Sequence, residues 1–199
     1  MSKILIIGDS QAQGAGSVLA DYYRNAGNEV ELVSKSGASI EAIVKMAKPA
    51  NYDKVVIFAG GNGTPTVNAV QDLLDIYPGA DWIGPPPATL ITDLGHAQAV
   101  FGGKVDGPAY WFQTSTADDR EKANNFLSAV VPQYGGKYHD WRKFGLGDPF
   151  PAQPDGIHIS KPTAKIAFSN GIPLGINLGG IIALAALGIL AYKIWRGRK

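Results

Sequence analysis

Between residues 1 and 165 short apolar runs alternate with stretches of helical periodicity, a pattern produced by βαβ units wound around a mostly parallel sheet. Strands are expected at Lys3–Ile7, Glu29–Val33, Lys54–Ala59, Ala80–Ile83 and Lys137–Trp141. Helices are expected at Ser17–Ala26, at Ser39–Ala47 with Ser39 as its cap, at Pro65–Tyr77 and at Thr116–Val131. In open α/β sheets, ligands and chemistry collect at the carboxyl ends of the strands. The loops after the strands are therefore where function is sought. From Ala88 to Ser115 the periodicity is poor, and Phe101, Tyr110, Trp111 and Phe112 lie among glycines. Two readings stand there: a functional loop or lid, with Tyr110 or Trp111 stacking on a substrate ring, or aromatics that cover the sheet edge as core.

Composition narrows the chemistry. The 199 residues are 45% hydrophobic and carry a formal net charge of +1, so no basic excess points to nucleic acid and no acidic excess to a solvating tail. Cysteine is absent, which excludes disulfides, thiolate nucleophiles and Cys-based metal sites. The three histidines, His96, His139 and His158, are too few for a His-rich centre, so neither metal nor cofactor is expected. His96 and His139 read as surface or structural residues. The first strand begins at Lys3, and no signal peptide is expected before it.

The polar residues after the strands form one coherent set. Gly8-Asp9-Ser10 ends the first strand and opens a helix, so Ser10 is a candidate nucleophile near free backbone N–H groups. Gly37, after the second strand, can offer an N–H with no side chain in the way. Asn62, in Gly60-Gly61-Asn62-Gly63 after the third strand, can donate its amide to a developing oxyanion. In Asp155-Gly156-Ile157-His158 the carboxylate can bend back to the imidazole and fix its tautomer, leaving His158 to take a proton from Ser10. Each of these signals is weak alone. Their order along the chain gives them weight.

With these residues the chain resembles the SGNH hydrolases, also called the GDSL esterase/lipase family. Gly8-Asp9-Ser10 is similar to the nucleophile block, Gly37 to the glycine of the second block, Gly60-Gly61-Asn62 to the third and Asp155–His158 to the last. Gly14 and the Ile83–Pro87 segment also look like family features, and the resemblance spans residues 1 to about 168. It implies a flavodoxin-like three-layer α/β/α sandwich and metal-free ester hydrolysis by Ser10, His158 and Asp155, with the N–H groups of Ser10 and Gly37 and the Asn62 amide as oxyanion donors. Gln11 departs from the pattern, since many members carry an apolar residue after the serine.

The remaining segment has another character. Gly171 to Tyr192 contains no charged residue and is long enough to cross a ~30 Å hydrocarbon core as a helix. Tyr192 and Trp195 suit an interfacial belt, and Lys193, Arg196, Arg198 and Lys199 follow. The expected organisation is a catalytic domain over 1–168, a single transmembrane helix over 169–195 and a basic tail over 196–199. A buried core helix is the alternative. Gly171, Gly175 and Gly179 recur every four residues; two readings stand, a spacing that brings helices together into a homo-oligomer, or the ordinary frequency of glycine in transmembrane helices. The trailing cations favour a cytoplasmic C-terminus and an exported domain, whereas tail anchoring would leave the domain in the cytoplasm; carriage in a phage virion would remove that conflict. The combined expectation is a membrane-anchored esterase acting on O-acetyl groups of carbohydrate or peptidoglycan. The alternatives are a lipase or thioesterase acting on membrane lipids, and a non-catalytic glycan-binding or membrane-assembly protein.

Overall fold

Lys3–Gly8 forms β1, and Ile4, Leu5, Ile6 and Ile7 are all buried, as a parallel strand covered on both faces requires. The computed structural model describes residues 1–89, 92–101, 115–144, 146 and 152–169. Around β1 it sets β2 (Glu29–Ser34), β3 (Lys54–Phe58), β4 (Asp81–Ile83) and β5 (Lys137–His139). All neighbours pair in parallel, in the spatial order β2-β1-β3-β4-β5. This is the flavodoxin-like order, in which the winding reverses between β1 and β3.

The helices are α1 (Ser17–Asn25), α2 (Ile40–Met46), α3 (Val67–Ile76), α4 (Leu94–Phe101), α5 (Ser115–Val130) and α6 (Lys161–Ser169). On one face Ile4, Ile6, Val56 and Phe58 pack with Val18 and Leu19 of α1 and Ala164 and Phe168 of α6. On the other, Leu5, Ile7 and Ile57 meet Ile43 of α2, Leu73 of α3 and Leu127 of α5. Alternation along each strand feeds both cores. The result is the expected three-layer sandwich.

Several expected bounds shift for local reasons. Ser39 caps α2, accepting from the Ala42 N–H at 3.4 Å. Helix α3 starts two residues beyond Pro65, because the Thr66 hydroxyl accepts from the Ala69 N–H and makes Thr66 the cap. A π-helical stretch at Ala12–Gly16 precedes α1, and a Cβ on Gly16 would stand 3.1 Å from Ile6 Cγ2, so glycine lets this turn lie against the sheet. Within the segment expected to be irregular, residues 94–101 form α4, with Asp93 Oδ1 accepting from the His96 N–H at 3.0 Å. Helix α6 also went unpredicted: Ala164 and Ala167 pack inward while Ile166 is 55% exposed, so its hydrophobicity marks the wrong face.

Tyr110 and Trp111 lie outside the described residues, as do the apolar segment 171–192 and its Gly171, Gly175 and Gly179. Among the described residues, no helix is long and apolar enough to cross a membrane.

Candidate active site

The site is assembled where β1 and β3 end, at the reversal of strand order, the position at which open α/β sheets hold ligands. A Cβ on Gly8 would collide with the Phe58 carbonyl, the group that accepts the Asp9 N–H at 3.1 Å. Glycine therefore lets β1 and β3 close up just before the turn. Ser10 opens the helical run and is partly exposed.

His158 reaches Ser10 from a loop near the end of the domain. Ala152 and Ile159 form an antiparallel bridge, Gln153 N–H donates to the His158 carbonyl at 2.7 Å, and Gly156 turns the chain at φ 76°. This folds Asp155 back on His158. Asp155 Oδ1 accepts from the N–H groups of Ile157 and His158, each at 3.0 Å, and Oδ2 lies 2.7 Å from His158 Nδ1. A carboxylate only accepts, so Nδ1 carries the proton and Nε2 is left to accept from the Ser10 hydroxyl, 2.9 Å away. Asp155 is 1% exposed. Burial pushes its carboxyl up, but hydrogen bonds from the His158 ring and from the Ile157 and His158 N–H groups outweigh that and hold it at about 2.

Asn62 stands after β3, and its amide nitrogen is 3.1 Å from Asp9 Oδ2 and 3.4 Å from the Ala38 carbonyl. Gly37 immediately precedes Ala38, adopts φ 71° in the turn after β2 and is exposed. The loops after β1, β2 and β3 thus meet around Asn62. A cleft of about 690 Å³ opens beside it, between the Gly60–Pro65 loop and the face of α5 bearing Lys122 and Phe126.

Three residues that the sequence reading passed over or left without a role lie beneath this surface. Asp9 is 2% exposed; its Oδ1 accepts from the Gln11 N–H at 2.8 Å and its Oδ2 from Asn62. Burial raises its carboxyl to about 6, against the opposing pull of the Gln11 N–H, Arg120, His158 and Asn62. Arg120 of α5 is buried and donates through Nη1 to the carbonyls of Pro86 (2.9 Å) and Ile157 (3.1 Å). Burial pulls its guanidinium down to about 10, opposed by Asp9 and Asp155, and it is cationic at neutral pH. Gln11 donates through Nε2 to the Ile157 carbonyl at 3.0 Å. The periodicity of α5 carries the signal for Arg120, since Arg120, Ala123, Asn124, Leu127 and Val130 are its buried stripe.

The other histidines take no part in this cluster. His139 is buried with Nε2 2.7 Å from Asp81 Oδ1, and Lys54 Nζ lies 2.7 Å from the other Asp81 oxygen. His96 is exposed in the first turn of α4. Among the described residues, no cluster of histidines and carboxylates is arranged to hold a metal ion.

No protein-family model matches the chain, and no curated protein does. Solved structures do. The C-terminal catalytic domain of peptidoglycan O-acetyltransferase A from Streptococcus pneumoniae is similar with TM-score 0.55 at 16% identity, over 85% of this chain and 89% of that one. An acetylxylan esterase from Geobacillus stearothermophilus gives 0.55 at 13% identity, over 85% and 91%. The periplasmic domain of a lipopolysaccharide acetyltransferase from Salmonella ser. Paratyphi A gives 0.50 at 18% identity, over 92% and 84%. At such identities the likeness shows a shared fold. The chain shares its α/β fold with these esterase and acetyltransferase domains.

Proposed function

We propose that this protein is a serine esterase acting on O-acetyl groups of carbohydrate, tethered to a membrane by residues 171–192. The observation that carries the reading is the unbroken relay from Ser10 Oγ through His158 (2.9 Å) to Asp155 (2.7 Å) at the strand-order reversal. Ser10 Oγ attacks the ester carbonyl carbon while His158 Nε2 takes its proton. Asp155 holds the ring in the required tautomer and stabilises the imidazolium. The oxyanion is met by the N–H groups of Ser10 and Gly37 and by the Asn62 amide, which exchanges its long 3.4 Å bond to Ala38 for the substrate oxygen while Asp9 keeps it oriented. His158 returns the proton to the leaving alcohol, and water repeats the cycle on the acetyl-enzyme.

The cleft beside Asn62 is of the size that sugar-scale ligands occupy and offers a cation, a carboxylate and the Phe126 ring. The three similar structures, a peptidoglycan O-acetyltransferase domain, an acetylxylan esterase and a lipopolysaccharide acetyltransferase domain, support the substrate class. Where a second sugar hydroxyl rather than water enters, the same acetyl-enzyme would complete a transfer.

A fluorophosphonate probe tests the reading on the full chain. Wild type is expected to be labelled and to hydrolyse a short aryl acetate, and Ser10→Ala to lose both. Asn62→Ala should retain labelling with turnover lowered by ~10²–10³, and Asp155→Asn should be milder than His158→Ala. Hydrolysis by Ser10→Ala at the wild-type rate, or no labelling of folded wild type, would sink the mechanism. A strong preference for long acyl chains would instead favour a lipid substrate.

A further inference from the structure

We infer that Gln11 is a positioning residue for this site: it ties the loop that carries His158 to the turn that carries Ser10. The inference rests on the reading of Ser10 and His158 above. Gln11 directly follows Ser10 and its side chain is buried. Its Nε2 donates to the Ile157 carbonyl at 3.0 Å, and its Oε1 accepts from the Ile159 N–H at 3.4 Å. One primary amide thus holds the residues on both sides of His158, across 146 and 148 positions of sequence.

The tie is anchored at both ends. The Gln11 N–H is bound by Asp9 Oδ1, so the backbone from which the side chain projects is fixed. The Ile157 carbonyl takes a second donor, Arg120 Nη1 at 3.1 Å, while the Ile157 N–H is bound by Asp155. With the His158 carbonyl also bonded, to the Gln153 N–H, the backbone around the imidazole is fully engaged. A buried amide is costly unless its hydrogen bonds are made, and a leucine or methionine would fill similar space. What the amide adds is register between nucleophile and base. That register matters because Ser10 and His158 meet across 148 positions of sequence.

The test uses the full chain carrying Gln11→Leu, with Gln11→Met as the better volume match should the first not fold. Two readouts are taken: steady-state hydrolysis of a small aryl acetate, and the low-field NMR signal of the His158 Nδ1 proton shared with Asp155. We expect kcat to fall by about ten- to a hundredfold, the scale on which misplacing a catalytic group acts, with KM unchanged. The low-field signal should shift or broaden. A role confined to packing would lower thermal stability and leave both readouts alone. Wild-type kcat in a folded variant, or a fall in kcat with an unaltered imidazole signal, overturns the inference. Should wild type itself neither label at Ser10 nor hydrolyse esters, the esterase reading fails, and the imidazole signal of the variants still decides whether Gln11 holds the loop.

Discussion

Two buried carboxylates in the site, Asp9 and Asp155, are shifted in opposite directions: burial raises the first, and hydrogen-bond donors hold down the second. Asp155 receives three hydrogen bonds, including one from the His158 ring, and is held at about 2; Asp9, wholly enclosed, is raised to about 6. The consequences for folding have opposite signs. Asp155 is more acidic folded than unfolded, so its contribution is present above pH ~4 and is lost as pH falls through about 2. Asp9 holds its proton more tightly when folded, so its contribution is full below pH ~4 and is lost as pH rises through about 6. Thermal unfolding of wild type and Asp9→Asn from pH 3.5 to 7 isolates the second effect, because the Asp155 contribution is common to both proteins. Wild type should lose stability relative to the variant between roughly pH 4 and 6, and parallel curves would show that Asp9 is not perturbed. Asp9 shares a tripeptide with Ser10, yet its role was not legible there. A carboxylate beside a serine reads as turn chemistry until the loop after β3 and a helix some hundred residues on are known to close over it.

At the level of elements, caps and stripes decided most of what was and was not foreseen. Thr66 is the clearest local device: its hydroxyl, not Pro65, sets where α3 begins. Thr66→Ala should lower unfolding free energy by about 1 kcal/mol, read by denaturant or thermal unfolding, while labelling at Ser10 is unaffected. A larger loss would mean that Thr66 supports more than one helix end. Helix α5 teaches the opposite lesson. Asp118, Asp119, Arg120 and Glu121 look like a solvated charge run, but Arg120 falls on the stripe of Ala123, Leu127 and Val130 and is carried under the site. Helical periodicity contained that placement, and hydrophobicity hid it. Helix α4 was missed for a related reason: of its residues from 94 to 99 only Ala97 is buried, so no apolar stripe marks it.

For the whole molecule, strand order is the organising fact. Reversal of winding between β1 and β3 brings the ends of those strands together, and Ser10 and Asn62 occupy them. Beyond the sandwich, the uncharged run from Gly171 to Tyr192 has its own physical demand, burial of some twenty apolar positions. As a membrane anchor it predicts that the full chain stays with membranes through an alkaline carbonate wash. Replacing Ala185 and Leu187 by Arg, at a cost of roughly 2.5–3.5 kcal/mol for each charge at mid-span, should release it to the soluble fraction. Wild type recovered as a soluble protein without detergent would refute the anchor.

The amino-acid sequence determined the alternation of strands with most of the helices, the Ser39 cap, and the blocks that put Ser10, Gly37, Asn62, Asp155 and His158 after strands or in the closing loop. These are short-range properties: periodicity, turn chemistry and the bend that lets a carboxylate reach a histidine three residues on. Only the tertiary structure decided what lies between those blocks. It set the 2.9 Å contact between Ser10 and His158, turned the Asn62 amide toward Asp9, joined Arg120 to the Pro86 and Ile157 carbonyls and gave Gln11 two partners on the far side of the chain. Each is a hydrogen bond across a long stretch of sequence. Such bonds follow from where strands sit in the sheet, and no local pattern records that.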